Sequence, residues 1–168
     1  MITSVKRNYL EINSITELFE KPKPSEKLLV NLINPPDFQL NRFFYKQIGR
    51  SHRWVDRLVW SEKEWIKYVN NLNVNTYVLK EDNNLVGYYE QIFSKNKSDC
   101  EIAYFGILQE YIGKKFGGYL LSDAIKKSFI YGAKRVWVHT CSLDHKNALK
   151  NYLSRGMKIF KSEVININ

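Results

Sequence analysis

Three glycines and two lysines in the second half of the chain have the spacing of an anion-binding loop. Gly113, Gly117 and Gly118 let the backbone approach a ligand closely, and Lys114 and Lys115 add positive charge. The loop follows a predicted strand and opens a predicted helix, whose free amides and dipole favour an anion. These residues alone indicate a phosphate or pyrophosphate site about as strongly as a glycine-rich turn with solvated lysines. No Gly-Lys-Ser/Thr sequence follows at the spacing of a Walker P-loop.

The two cysteines and His139 are predicted to be structural. Cys100 and Cys141 are far apart and form no pair of CxxC spacings, so we expect no zinc or other metal site and no disulfide scaffold. The sequence places no general base for Cys141, and we expect a buried spectator thiol there. His139 alternates with Val138 on a predicted strand and is expected in the core or just behind it. Reduced thiols suit a cytoplasmic protein.

Composition and charge restrict the class of partner. The chain has 168 residues, of which 44% are hydrophobic, enough for one folded domain with its own core. The formal net charge is +9, and residues 101–168 hold eleven Lys or Arg against five Asp or Glu. Such a balance suits nucleic acid, an anionic membrane surface or a phosphorylated ligand. Because the lysines cluster at the expected phosphate loop, we favour the phosphorylated ligand and expect no nucleic acid partner. We find no secretory signal and no apolar run of about 18 residues, so we expect a cytoplasmic protein without a membrane partner.

Hydrophobic periodicity and turn residues predict the elements that position the loop. Strands are predicted over residues 5–12, 74–79, 85–93, 99–108, 135–140 and 157–165. Helices are predicted over residues 38–48, 61–71, 115–131 and 144–153. The apolar stretch 28–33 ends at a proline pair, and residues 50–60 remain ambiguous. Ser61 and Glu64 form a capping box, residues 81–84 form a hairpin turn, and strand 99–108 reads as covered on both faces. The order indicates a mixed α/β fold with strand–helix–strand crossovers in the second half.

The order of these motifs resembles the GNAT superfamily of acyl-CoA-dependent N-acetyltransferases. The pyrophosphate loop of that family, Gln/Arg-x-x-Gly-x-Gly/Ala, falls on residues 112–117, where Ile112 and Lys115 depart from it. We expect Lys114 or Lys115 to replace the missing arginine contact. The missing middle glycine is tolerable if Lys115 has a negative φ at the helix start. The family segment Asn-x-x-Ala-x-x-x-Tyr-x-x-x-Gly-Phe falls on residues 145–157, with His145 in place of Asn and Met157 in place of Phe.

The resemblance implies a fold and a co-substrate. The fold is a central, mostly antiparallel sheet flanked by helices in one domain, 1–168, with acceptor-side elements in 1–84 and the acyl-CoA-binding core in 85–165. The co-substrate is acetyl-CoA, and an amide within 105–108 donates to its thioester oxygen. The implied cofactor-binding residues are Phe105, Gly106, Ile107, Leu108, Ile112, Gly113, Lys114, Lys115, Phe116, Gly117, Gly118, His145 and Asn147.

The resemblance also assigns two catalytic residues. Attack of an amine on a thioester needs a group that takes a proton from the amine and an acid for the leaving thiolate. Glu101 matches the family's general base. Ordered water could take the proton instead, and Glu101 would then be an ordinary glutamate in solvent at the end of a strand. If Glu101 is buried, its pKa rises toward a useful value. Tyr152 matches the family's acid, which protonates the leaving sulfur. The alternative is that Tyr152 is an aromatic residue of the core without a catalytic role.

The N-terminal third is expected to shape the acceptor site. Asp56 is a candidate to hold a cationic amine, Trp54 to wall the pocket, and Glu90 to hold or deprotonate the amine; ordinary core with a solvated arginine face is the alternative. The sequence therefore predicts direct acetyl transfer from acetyl-CoA to a primary amine of a small molecule. A peptide or protein N-acetyltransferase, a nucleic-acid-binding module and a CoA-sensing protein remain as alternatives, and homodimer formation is left open.

Overall fold

The sequence folds into one sheet with helices on both faces, in a computed structural model that describes residues 2–167. The strands are β1 (Thr3–Ile12), β2 (Leu28–Leu32), β3 (Val74–Glu81), β4 (Asn84–Phe93), β5 (Asp99–Ile107), β6 (Arg135–Cys141) and β7 (Lys158–Ile167). The helices are α1 (Phe38–Gly49), α2 (Glu62–Val69), α3 (Phe116–Ile130) and α4 (Ala148–Ser154). Short 3-10 turns cover Ile15–Glu17 and Gln109–Tyr111.

The strand order explains how two distant parts of the chain meet. The order is β2-β3-β4-β5-β6-β1-β7, and every neighbouring pair is antiparallel except β5 with β6. The predicted mixed α/β fold with a mostly antiparallel sheet is confirmed. Helix α3 makes the crossover between the parallel pair, so the glycine loop lies at the carboxyl end of β5. Insertion of β1 between β6 and β7 brings the first residues of the chain beside the last.

The two faces of the sheet carry separate apolar clusters. On one face, helix α3 packs on β4, β5 and β6. Four of its residues are fully buried there, as the helix pattern predicted: Leu120, Leu121, Ala124 and Ile125. On the other face, Phe44 of α1 stacks on Tyr88 with ring centroids 4.8 Å apart. Helix α1 contacts β5. On the side opposite α3, the face formed by β6, β1 and β7 carries exposed and half-buried side chains, apart from the buried Val5.

Local signals in the sequence located most element ends, with two differences. The capping box is confirmed, since the Ser61 hydroxyl accepts from the Glu64 amide at 3.2 Å and the Glu64 carboxylate accepts from the Ser61 amide at 2.7 Å. The last helix begins at Ala148 and not at residue 144, because the Asp144 carboxylate accepts from the Cys141 amide at 3.0 Å and so holds a turn. Strand β5 is not covered on both faces; from Ala103 onward it is half-buried beside an open cleft.

Candidate active site

A cleft of about 1050 Å³ opens where β5 and β6 separate. The parallel pairing joins only Asp99–Glu101 to Arg135–Trp137, and beyond it the strands diverge. A β-bulge lies at the same place, because Glu90 pairs with Tyr104 while Gln91 pairs with Ile102, which leaves Ala103 as the extra residue. A bulge bends its strand and redirects the following side chains. The second half of β5 is thereby turned along the cleft wall.

The glycine loop forms one end of this cleft. Gly113 has a φ of 90° and Lys115 a φ of 67°, both in the left-handed region. The condition of a negative φ at Lys115 is therefore not met, and a non-glycine residue pays about 1–2 kcal/mol for that conformation. No side chain caps the start of α3, so its first amides have no side-chain acceptor and face the loop with the positive end of the helix dipole.

Most of the residues expected at the cofactor line the cleft. Eleven of the thirteen do so, while Leu108 and Lys114 do not. Leu108 is buried and its amide donates to the Val86 carbonyl at 2.8 Å. The Lys114 ammonium lies 5.4 Å from the centre of the Tyr111 ring. Of the two lysines, only Lys115 therefore lines the cleft.

The sequence did not single out Arg155, a buried cation that lies beside the glycine loop at that end of the cleft. Arg155 caps the C-terminus of α4, lines the cleft and is 5% exposed, yet its Nε has no hydrogen-bond partner among the described residues 2–167. A Cβ on Gly118 would lie 2.7 Å from an Arg155 terminal nitrogen, so only glycine leaves room for the guanidinium against α3. Burial lowers the Arg155 pKa. A buried cation with an orphaned donor fits an anionic ligand. The signal available in the sequence is an arginine three residues after Tyr152, directly before the glycine that follows the helix.

Glu101 and Tyr152 both line the cleft. Burial raises the pKa of Glu101, and the positive charge of Arg57 partly offsets this. Burial and the negative charge of Asp144 raise the pKa of Tyr152 well above its ordinary value. Within residues 2–167, neither the Glu101 carboxylate nor the Tyr152 hydroxyl has a hydrogen-bond partner. Both groups are thus available to a ligand.

The segment 50–60, ambiguous in the sequence, is fixed over the cleft by Arg57. The Arg57 guanidinium is 7% exposed and donates to Glu90 at 2.9 Å. It lies 4.2–5.8 Å from the centres of five aromatic rings, those of Tyr45, Trp60, Trp65, Tyr68 and Tyr104. Cation–π contacts of this kind stabilise a desolvated cation by about 2 kcal/mol. Trp54 and Asp56 of the same segment line the cleft.

The structure separates Glu90 from the other expected acceptor residues. Glu90 is fully buried and does not line the cleft. Besides the bond from Arg57, its carboxylate accepts from the Tyr68 hydroxyl at 2.6 Å and from the Asn41 amide at 2.8 Å. The sequence offered no signal for this pairing, because Arg57 and Glu90 are 33 positions apart. Its visible role is to hold Arg57, and through it the segment 50–60.

The histidines and Cys141 also border the cleft. His139 is exposed there and not in the core, because it lies on the side of β6 that no helix covers. The surrounding walls of the cleft still desolvate its ring in part, and this desolvation together with the charge of Arg7 lowers its pKa. His145 accepts from the Asn147 amide at 3.1 Å, and Cys141 is half-buried. No group of three His, Cys, Asp or Glu in residues 2–167 has the arrangement of a metal site.

None of the helices within 2–167 is long and apolar enough to cross a membrane.

A family model described as the acetyltransferase (GNAT) family matches residues 37–157. No curated protein sequence matches the chain significantly.

Solved structures share the fold at low sequence identity. An aminoglycoside acetyltransferase from an uncultured soil metagenomic sample is 15% identical, with a TM-score of 0.66 over 79% of this chain and 90% of that one. A GCN5-related N-acetyltransferase from Kribbella flavida is 13% identical, with a TM-score of 0.68 over 98% of this chain and 58% of that one. A GCN5-related N-acetyltransferase from Sphaerobacter thermophilus is 14% identical, with a TM-score of 0.68 over 96% and 50%. This chain therefore spans little more than half the length of the last two.

Proposed function

We propose, from the premise that the chain belongs to the acetyltransferase (GNAT) family, that it moves the acetyl group of acetyl-CoA directly to a primary amine of a small molecule. The observation that carries this proposal is the composition of the cleft. Within residues 2–167, one cavity holds an uncapped helix start, a buried arginine with an orphaned donor, a carboxylate without hydrogen-bond partners and a phenol without hydrogen-bond partners. The helix start and the arginine match the phosphates of the donor, the carboxylate matches the attacking amine, and the phenol matches the leaving sulfur.

The residues at the glycine-loop end of the cleft fit the phosphates of coenzyme A. The first amides of α3 and the Arg155 guanidinium both lack acceptors within 2–167, and phosphate oxygens are strong acceptors for both. Lys21, Lys115 and Lys150 also line the cleft and add positive charge. When bound, the donor supplies an acetyl group activated as a thioester.

The remaining residues take defined roles in transfer. Glu101 accepts the proton of the incoming ammonium, directly or through water, and its raised pKa brings it closer to the pH at which a base works best. Tyr152 stays protonated and donates to the leaving sulfur. A main-chain amide in residues 105–107, beyond the bulge, donates to the carbonyl oxygen that gains negative charge; the Leu108 amide is already bonded to the Val86 carbonyl.

The segment 50–60 supports a small acceptor. Trp54 packs on Tyr104 with ring centroids 4.9 Å apart, and Asp56 lines the cleft beside them. Aromatic walls with one carboxylate suit a compact cationic amine. One structural neighbour is an aminoglycoside acetyltransferase, so aminoglycosides belong among the amines to be assayed.

The proposal is tested first by donor binding and then by turnover. Acetyl-CoA is expected to raise the melting temperature, since a ligand bound only by the folded state stabilises it. Thiol release is then measured with amino acids, polyamines, aminoglycosides and peptides. Absence of a melting shift at millimolar acetyl-CoA contradicts the enzyme proposal. Salt-sensitive DNA binding that acetyl-CoA does not affect supports a nucleic-acid-binding module instead.

Replacing Arg155 by leucine should weaken coenzyme A binding without loss of stability. A hydrogen bond to a charged group contributes about 1.5–3 kcal/mol, so the Kd should rise about 10- to 150-fold. The melting temperature of the free protein should stay the same or rise, because the variant removes a buried charge that lacks a partner. Calorimetric titration with coenzyme A measures the Kd. Arg50→Leu removes the same charge outside the cleft and should leave the Kd unchanged; equal Kd values for Arg155→Leu and wild type would contradict the assignment.

A further inference from the structure

A second arginine with an orphaned donor lies on the acceptor side of the cleft. Arg7 of β1 is half-buried, lines the cleft, and has a buried Nε without a hydrogen-bond partner. Its side chain makes no hydrogen bond or ion pair within 2–167. Glu163 stands opposite Arg7 on β7, but its carboxylate accepts from the Tyr9 hydroxyl at 2.6 Å and pairs with Lys161 at 3.5 Å. The hydrogen bond from Tyr9, then Lys161 and last the charge of Arg7 lower the pKa of Glu163, but the Arg7 guanidinium forms no hydrogen bond or ion pair with a residue within 2–167.

Strand register places Arg7 on the same face as Glu101. Glu101 stands opposite Trp137 on β6, and Arg7 stands opposite Cys141, four residues further along β6. Opposite residues share a face and alternate residues return to it, so Glu101, Trp137, Cys141 and Arg7 all lie on the side away from α3. Regular strand spacing puts the Cα atoms of Glu101 and Arg7 about 16 Å apart. Two long side chains approaching from these positions leave room for a small molecule between them.

The acceptor side therefore has opposite charges at its two ends. Asp56 and Glu101 are negative and lie on the segment 50–60 and on β5, whereas Arg7 lies across the cleft on β1. His139 lies between them on β6, and its pKa is lowered by desolvation in the cleft and by the charge of Arg7. If a polyamine bound with one ammonium at Glu101 and Asp56, its second ammonium would lie near Arg7. Because like charges repel, this arrangement disfavours a polyamine as the acceptor.

We propose that the acceptor is an amphoteric amine, a small molecule that carries a carboxylate or phosphate beside its amine, and that Arg7 binds this acidic group. The inference rests on the proposed function, because it concerns the acceptor of the same reaction. An arginine binds carboxylate and phosphate in the same two-pronged manner, so both groups remain within the proposal.

Matched acceptor pairs test the inference. Each pair differs by one acidic group: β-alanine and ethylamine, lysine and cadaverine, O-phosphoethanolamine and ethanolamine. The wild type should show a kcat/KM at least about 10-fold higher for the acidic member of at least one pair. Arg7→Met should remove that preference, lowering kcat/KM for the acidic member about 10- to 100-fold and leaving the plain amine within about twofold. Arg7→Lys, which keeps the charge, should retain part of the preference.

The matched control is Lys6→Met, which removes a charge from the neighbouring position on β1. Lys6 is exposed and does not line the cleft, so this variant should keep the wild-type preference. Melting curves of all three variants identify any that fail to fold. The carboxylate pairs and the phosphate pair together show which acidic group is preferred.

The outcomes separate this inference from the proposed function. If plain amines, polyamines or aminoglycosides are acetylated as well as their acidic counterparts, the inference is overturned while the acetyltransferase proposal stands. If no amine is acetylated, calorimetry of the same pairs with the coenzyme A complex decides. Tighter binding of the acidic member that is lost in Arg7→Met supports the inference without the activity, and failure of every acidic member to bind overturns it.

Discussion

Replacing Tyr152 by phenylalanine is expected to lower kcat about 100- to 10,000-fold and to leave the Kd for acetyl-CoA within about twofold. The Tyr152 hydroxyl lines the cleft and has no hydrogen-bond partner within 2–167. Its removal therefore deprives the leaving sulfur of a proton donor without breaking an internal hydrogen bond. The ring, 6.4 Å from that of Phe105, is kept by phenylalanine, so the melting temperature should not change.

Rapid-mixing measurement of thiol release, with a separate titration of acetyl-CoA, distinguishes turnover from binding. Tyr119→Phe, which removes a hydroxyl from α3 outside the cleft, is the matched control and should have wild-type kcat. An unchanged kcat in Tyr152→Phe would reject Tyr152 as the acid. Because burial and Asp144 raise the pKa of Tyr152, its ionisation should cause no loss of activity as the pH rises from about 7 to 9.

Features encoded in neighbouring residues could be predicted from the sequence. The capping box at Ser61, the apolar side of α3 and the glycine loop each depend on spacings within one element or turn, and the sequence predicts each of them. The mostly antiparallel sheet followed from the order of the motifs and their family resemblance. The sequence did not predict that one face of β6 is open, because alternation of apolar and polar residues along a strand does not show which face a helix will cover.

Features that depend on contacts between distant residues could not be predicted. The Arg57–Glu90 pair joins two positions 33 residues apart, and a fully buried Glu90 has the same sequence appearance as a solvated one. The bulge at Ala103 carries no glycine or proline to mark it. Arg155 and Arg7 are recognised only because their donors are buried and orphaned, a property of packing and not of residue type.

Replacing Glu101 by glutamine should lower kcat about 100- to 10,000-fold and at the same time stabilise the protein at neutral pH. The folded-state pKa of Glu101 is raised, chiefly because burial disfavours the charged carboxylate. A group of this kind contributes its full stability below the pKa of the unfolded state and loses it as the pH rises through the folded-state pKa. Glutamine resembles the protonated form, so the variant keeps that stability at every pH.

The two effects are separable by pH. The melting temperatures of wild type and Glu101→Gln should coincide below about pH 4 and diverge above it, with the variant higher at pH 7. The acid limb of the wild-type kcat/KM profile should lie above the ordinary glutamate pKa and be absent from any residual activity of the variant. Glu110→Gln, an exposed position in the 3-10 turn before the loop, should change neither quantity. If Glu101→Gln is more stable at pH 7 but retains wild-type kcat, the Glu101 carboxylate is not the general base. Ordered water then takes the proton of the amine instead.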